Sequence, residues 1–184
     1  NPLRSSIALP PRHFFDDAFL YSRPTGILRV SHYAATECET NQFNASPHID
    51  GDFITFLAQS EVPGLELRIA EKKWVQAPAL PGTFLVNSGE ILRLWSNGRF
   101  RATYHRVINR SGRDRYAIPF FYSPSPDTLI KSVETCYDME HPPQFRPVTV
   151  REYTEWFSHK VFVHLKEKPG RSPYYEGDRP DTAT

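Results

Sequence analysis

The chain lacks most of the features that would place it outside the ordinary globular classes. It has two cysteines, Cys38 and Cys136, and no CxxC pair. That excludes a disulfide-dense scaffold and a cysteine-rich zinc module. It fits a reducing compartment, with a single disulfide left open. An excess of one charge is also missing: 22 Lys and Arg offset 21 Asp and Glu, for a net charge of +1. Neither nucleic acid nor an anionic membrane has an electrostatic reason to bind. No apolar run is long enough to cross a bilayer and no signal peptide is visible, so the expectation is a cytoplasmic protein without a membrane partner. The two Asn-x-Ser sequons, at Asn44 and Asn109, then read as chance matches. The first residue is Asn1 and not methionine. The chain therefore reads as a fragment, a processed form or the ordered part of something longer.

What is present suits one β-rich domain. The 184 residues are 39% apolar and 14% aromatic, enough for a packed core. Alternation and β-branched residues mark strands at ILRVSHYA (27–34), DFITFLAQ (52–59), LELRIA (65–70), TFLVNS (83–88), FRATYHRVI (100–108) and RYAIPFFY (115–122). Pro63-Gly64, Pro81-Gly82, Asn97-Gly98 and Ser111-Gly112 supply turns between them. Short strands at this spacing predict a sandwich or barrel, and the 17 prolines suit its loops. FFDDAFLY, near the start, reads as the end of a helix. In residues 149–165, Thr149 and Glu152 have capping-box spacing, and Val150, Tyr153, Trp156, Phe157, Val161 and His164 form an apolar stripe. This predicts an amphipathic helix packed on the sheet. The polar, Pro- and Gly-bearing end reads as a flexible tail. The expected divisions are 1–26, a linker or N-terminal remnant; 27–130, the core; 131–168, a helical region; and 169–184, the tail.

The stretch SPHIDGDFITFLAQS (46–60) joins a strand, with Phe53, Ile54, Phe56 and Leu57 expected in the core, to two metal-binding residue types. Residues two apart on a strand share a face, so His48 and Asp50 can aim at one point. An isolated H-x-D is a weak signal, and a lone strand histidine is ordinarily structural. His105, on another strand ringed by apolar residues, is the best third ligand. Two His and one carboxylate on one side of a metal leave the other side open, which suits non-haem Fe(II) chemistry with O2. The same residue types bind zinc, but no H-E-x-x-H or similar zinc-plus-base motif accompanies them. Arg115 follows His105 by ten residues across the turn NRSGRD, which places it on the neighbouring strand. A guanidinium there can hold the far end of a dicarboxylate through two parallel hydrogen bonds.

From about Leu28 to about Ile130 the chain resembles the iron- and 2-oxoglutarate-dependent dioxygenases of the isopenicillin N synthase-like group. The resemblance rests on His32-Tyr33, HIDGDFIT, the PG-TFLVN-G-E segment (81–90), the NGR turn (97–99), YHRV (104–107) and R-x-x-IPFF (115–121). It implies a mainly β fold, a double-stranded β-helix or jelly roll, with iron at one open end. It implies His48, Asp50 and His105 as iron ligands, Arg115 as the 2-oxoglutarate anchor and Tyr33 as a second contact to that cosubstrate. Fe(II), 2-oxoglutarate and O2 would together oxidise a C–H bond of a small organic metabolite, by hydroxylation, desaturation or ring closure, releasing succinate and CO2. The family usually has Arg-x-Ser on the anchoring strand, where this chain has Arg115-Tyr116-Ala117. Ala117 then sits at the cosubstrate site without a hydroxyl, a loss of about 0.5–1.5 kcal/mol for one hydrogen bond. Almost none of the family's N-terminal region is present. The alternatives are an iron oxidase of the same family that does not use 2-oxoglutarate, a zinc hydrolase and a non-catalytic jelly-roll binding module. Arg68, Arg93, Trp95, Arg101 and Tyr104 are candidates to face the pocket. The substrate and the oligomeric state are not legible.

Overall fold

A computed structural model describes residues 13–35, 42–69, 73–161 and 172–175. The described residues fall into two compact units. One draws on Gly26–Glu90 and Ala102–Tyr122, the other on Ile91–Arg101, Ser123–Pro180 and the residues before Gly26.

The first unit holds nine strands: β1 (Thr25–Leu28), β2 (Ser31–Tyr33), β3 (Ala45–His48), β4 (Ile54–Gln59), β5 (Leu65–Arg68), β6 (Trp74–Gln76), β7 (Leu85–Ser88), β8 (His105–Val107) and β9 (Arg115–Ser123). One sheet runs β1-β9-β4-β7, with β2 also paired to β9; the other runs β3-β8-β5-β6. All determined pairings are antiparallel. Side chains of both sheets line one cavity between them. This is the double-stranded β-helix that the resemblance implies.

Local chemistry explains where strands depart from the sequence reading. The expected strand 27–34 is broken at Arg29 and Val30. Extending the β2–β9 register puts Arg29 opposite Pro119. Arg29 N donates to Pro119 O at 3.0 Å, but Pro119 has no N–H to return. Of the expected strand 100–108 only His105–Val107 form a ladder, paired with β5 and β3. In β4 the buried residue is Thr55, 4% exposed, whereas Phe56 is 37% exposed and pairs with Phe120 and Val86 on the outer face. Phe53, Ile54 and Leu57 are half-buried. The expectation of a buried Phe56 fails because the strand's alternation gives the inner face to Thr55.

Strand β3 carries a bulge. Its register moves by one residue between Ala45↔Val107 and His48↔His105. Residues three apart on a regular strand face opposite ways. The extra residue turns both Ala45 and His48 into the cavity. Pro47, which has no N–H to leave unpaired, sits inside the irregular stretch. The sequon residue Asn109 is fully buried, and its Nδ2 donates to the carbonyls of Tyr33, Ala34 and Arg113. It clamps the loop before β9 to the end of β2.

The second unit contains helices α1 (Asp16–Phe19), α2 (Glu90–Trp95) and α3 (Val150–Val161), with a two-stranded ladder of β10 (Leu129–Ile130) and β11 (Val148–Thr149). The capping box forms as expected: Glu152 N donates to Thr149 Oγ1 at 3.2 Å, and Thr149 N donates to Glu152 Oε2 at 2.8 Å. Val150 and Tyr153 form the buried face of α3. His164 lies outside the described residues. Within the stretch read as a tail, Tyr174 is buried, and its ring packs against Phe145 and Trp156. No helix among the described residues is long and apolar enough to cross a membrane.

Candidate active site

His48 ends edge strand β3, and His105 begins β8 directly opposite it, with ring centroids 4.2 Å apart. Asp50 follows two residues after His48. Its Oδ1 lies 3.5 Å from His105 Nε2 and 4.0 Å from His48 Nε2. One ligand atom from each residue lies within 4.8 Å of the others. No other group of three metal-ligating side chains with this spacing occurs among the described residues.

Hydrogen bonds orient all three residues. His48 Nδ1 donates to Ser46 O at 2.7 Å and His105 Nδ1 donates to Thr103 O at 3.0 Å. A carbonyl only accepts, so both rings carry a proton on Nδ1 and present Nε2 to the shared point. Thr55 Oγ1 lies 2.7 Å from Asp50 Oδ2, and Asn87 Nδ2 donates to the same oxygen at 2.9 Å. Oδ2 is thereby engaged, and Oδ1 faces the histidines.

Burial grades the site: His48 is 47% exposed at its side chain, His105 12% and Asp50 6%. Burial and the neighbouring His105 hold His48 below the usual histidine pKa. Burial also opposes a charged His105, but the hydrogen bond and charge of Asp50 outweigh it and raise the pKa. Burial works against an ionised Asp50 too. Its contacts to His105, Thr55 and Asn87 prevail and bring its pKa down to about 2. The site is thus an ionised carboxylate with two oriented imidazoles, a donor set that fits a divalent first-row metal.

Asp52 stands behind Asp50. Thr55 Oγ1 is also 2.9 Å from Asp52 Oδ2, yet a hydroxyl has one proton to donate. Burial, then the Asp50 charge, raise the Asp52 pKa to about 7. When Asp52 is protonated, its hydroxyl can donate to Thr55 while Thr55 donates to Asp50. Gly89 makes room for this arrangement, since a Cβ there would collide with the backbone and carboxylate of Asp52.

Arg115, at the start of β9, is 1% exposed. Its Nη2 donates to Gln59 Oε1 at 2.8 Å, while Nε and Nη1 are buried without a hydrogen-bond partner. Desolvation lowers its pKa, opposed by Tyr33, whose ring centroid is 5.1 Å from the guanidinium carbon. Gly64 admits the aliphatic stem. A Cβ there would stand 3.1 Å from Arg115 Cδ, and its φ of +152° disfavours any side chain. Two buried, unpartnered donors on a residue that lines the cavity fit a carboxylate. Ala117, two residues on, is buried on the same face. His48, Asp50, His105, Arg115, Tyr33 and Ala117 all line one cavity of about 110 Å³.

The other pocket candidates lie elsewhere. Arg68 stacks on Tyr104 at 4.2 Å. Arg93 and Trp95 belong to the second unit, where Arg93 Nη1 donates to Tyr174 Oη and Trp95 packs on Phe15. None of these, nor Arg101, lines the cavity. Sequence reading gave no role to Gln59, Asn87, Asp52 or Arg29. Thr55 and Asn87 do fall within the quoted motifs HIDGDFIT and TFLVN, and that was the available signal.

The antiparallel double sheet and its His-Asp-His cluster define a non-haem metal oxygenase type of site. A family model, the 2OG-Fe(II) oxygenase superfamily, matches residues 24–124. The chain belongs to the 2OG-Fe(II) oxygenase superfamily, whose cofactors are Fe(II) and 2-oxoglutarate. It is 35% identical over 174 residues to the 2-oxoglutarate-Fe(II) type oxidoreductase hxnY of Emericella nidulans, covering 92% of this chain and 47% of that protein. Among solved structures it resembles a full-length Neurospora crassa protein in complex with alpha-KG, with a TM-score of 0.75 and 25% identity, covering 81% of this chain and 48% of that one. It also resembles the rice dioxygenase for auxin oxidation, with a TM-score of 0.65 and 28% identity, covering 79% and 49%. The chain thus spans about half the length of these relatives.

Proposed function

We propose that this site performs Fe(II)- and 2-oxoglutarate-dependent oxidation of a C–H bond in a small organic metabolite, with release of succinate and CO2. His48, Asp50 and His105 would hold the iron, whose bound form supplies the oxidising chemistry with O2. Arg115 would hold the far carboxylate of 2-oxoglutarate, with Tyr33 beside it and Ala117 in the place of a hydroxyl donor. The carrying observation is the pair of buried, unpartnered donors on Arg115, in the same cavity as the three ligand atoms. Thr55 and Asn87 would keep Asp50 oriented, and Gln59 would keep Arg115 oriented. The apolar lining, including Leu57, Leu67 and Val107, would exclude water. The catalytic core would lie within residues 27–130, and the setting would be cytoplasmic.

The test is an anaerobic titration with Fe(II) and then 2-oxoglutarate, followed by O2 uptake and succinate release across a metabolite library. The expected result is saturable 2-oxoglutarate binding that requires Fe(II), and succinate formed in step with O2. Fe(II) binding and O2 uptake that ignore 2-oxoglutarate would replace this reading with a 2-oxoglutarate-independent oxidase.

A further inference from the structure

The cavity has a second arginine. We propose that Arg29 binds a carboxylate on the primary substrate, making the substrate class small, largely apolar organic acids. This rests on the assignment of Arg115 and the metal ligands above.

Arg29 lines the cavity together with His48, Asp50, His105 and Arg115. Its backbone is tied down by the bond to Pro119 O in the break between β1 and β2. Its guanidinium carbon lies 5.2 Å from the ring centroid of Phe121, which lines the same cavity. Stacking of this kind orients an arginine and leaves its N–H edge free to bind. No carboxylate pairs with Arg29 among the described residues.

The two arginines differ in a way that separates their ligands. Arg115 is sealed in, and Gln59 already engages one of its nitrogens. Arg29 is open to solvent, as suits a group that meets an exchanging substrate. Charge balance points the same way. A divalent iron, the Asp50 carboxylate, the Arg115 guanidinium and doubly charged 2-oxoglutarate together come to zero. Arg29 then leaves one positive charge unmatched beside a wall of Leu57, Leu65, Leu85 and Val107. A monoanion with an apolar body complements that surface, and a neutral or cationic molecule does not.

The test uses matched acids and amides as probes: phenylacetate against phenylacetamide, and hexanoate against hexanamide. Each is titrated anaerobically into the Fe(II)–2-oxoglutarate complex of wild type, Arg29→Gln and Arg29→Lys. The visible absorption of the iron chelate and the 2-oxoglutarate dissociation constant are both followed. In wild type the acids should perturb the band at lower concentration than their amides. Arg29→Gln should remove roughly tenfold of that preference, Arg29→Lys should keep part of it, and 2-oxoglutarate affinity should hold in both. Acids and amides acting alike, no response to any acid, or a loss of 2-oxoglutarate affinity in Arg29→Gln would overturn the assignment. If Fe(II) and 2-oxoglutarate give no band in wild type, the underlying reading of the site fails, and with it this inference. A band without acid preference refutes the role of Arg29 alone.

Discussion

At the scale of single residues, the site depends on how few hydrogen-bonding options each buried group has. Arg115 has one neutral partner and two buried donors without one. Lysine would keep the charge but not the fork, so Arg115→Lys should weaken 2-oxoglutarate binding at least tenfold and leave Fe(II) binding nearly unchanged. Calorimetry of both ligands checks this, and equal 2-oxoglutarate affinities would remove Arg115 from the cosubstrate site. Asp52 yields a pH prediction. Its folded pKa, about 7, lies above the ordinary 3.8, so the folded chain holds this proton more tightly than the unfolded chain does. Its stabilising contribution is full below about 4 and is lost as pH rises through about 7. Asp50 behaves oppositely: its pKa of about 2 gives a contribution present above 3.8 and lost as pH falls toward 2. Asn at position 52 can donate to Thr55 without titrating. Urea unfolding of metal-free Asp52→Asn should therefore show a shallower loss of stability from pH 4 to 7 than wild type. Parallel profiles would mean that Asp52 is already ionised in the folded chain.

At the scale of elements, the bulge in β3 absorbs one extra residue while keeping both Ala45 and His48 on the cavity face. Deleting Ser46 would remove the extra residue and leave Ala45 and His48 two apart, sharing the cavity face on a regular strand. The variant should keep both its β-sheet circular dichroism and most of its Fe(II) affinity. Loss of that affinity would show that His48 depends on the bulge itself and not only on the face it occupies. In the helical unit, Thr149→Ala removes the cap of α3 and should cost about 1 kcal/mol in urea unfolding. The chemistry-bearing residue types at 48, 50, 105 and 115 were legible because motif spacing is local. The capping box was legible for the same reason. The bulge was not, since it exists only relative to β8, nearly sixty residues away in sequence. Nor was the break at Arg29, whose cause is Pro119 on another strand. Gln59 and Asn87 look like ordinary strand polar residues until pairing brings them to Arg115 and Asp50, 56 and 37 residues away. Phe56 was misassigned because hydrophobicity alone does not say which face of a two-faced strand turns inward.

At the scale of the whole molecule, a metal held only by the folded chain adds to its stability. At one hundred times the dissociation constant the gain is about 2.7 kcal/mol. For a chain of this size that raises the melting temperature by roughly 5–10 °C. Anaerobic thermal scans should show this shift with Fe(II), its loss with chelator, and its absence in His105→Ala; an equal shift in that variant would place the ion elsewhere. The cross-strand pairing of His48 with His105 carries a further consequence. Among the described residues β3 is the outermost strand of its sheet, while β8 lies between two neighbours. An ion shared by these histidines acts as a rivet through an edge that has little else to hold it. Withdrawing the metal should let that edge unzip first. Amide hydrogens of residues 45 and 46 and of His48 would then exchange with deuterium faster in the metal-free protein, while those of β4 and β9 keep their protection.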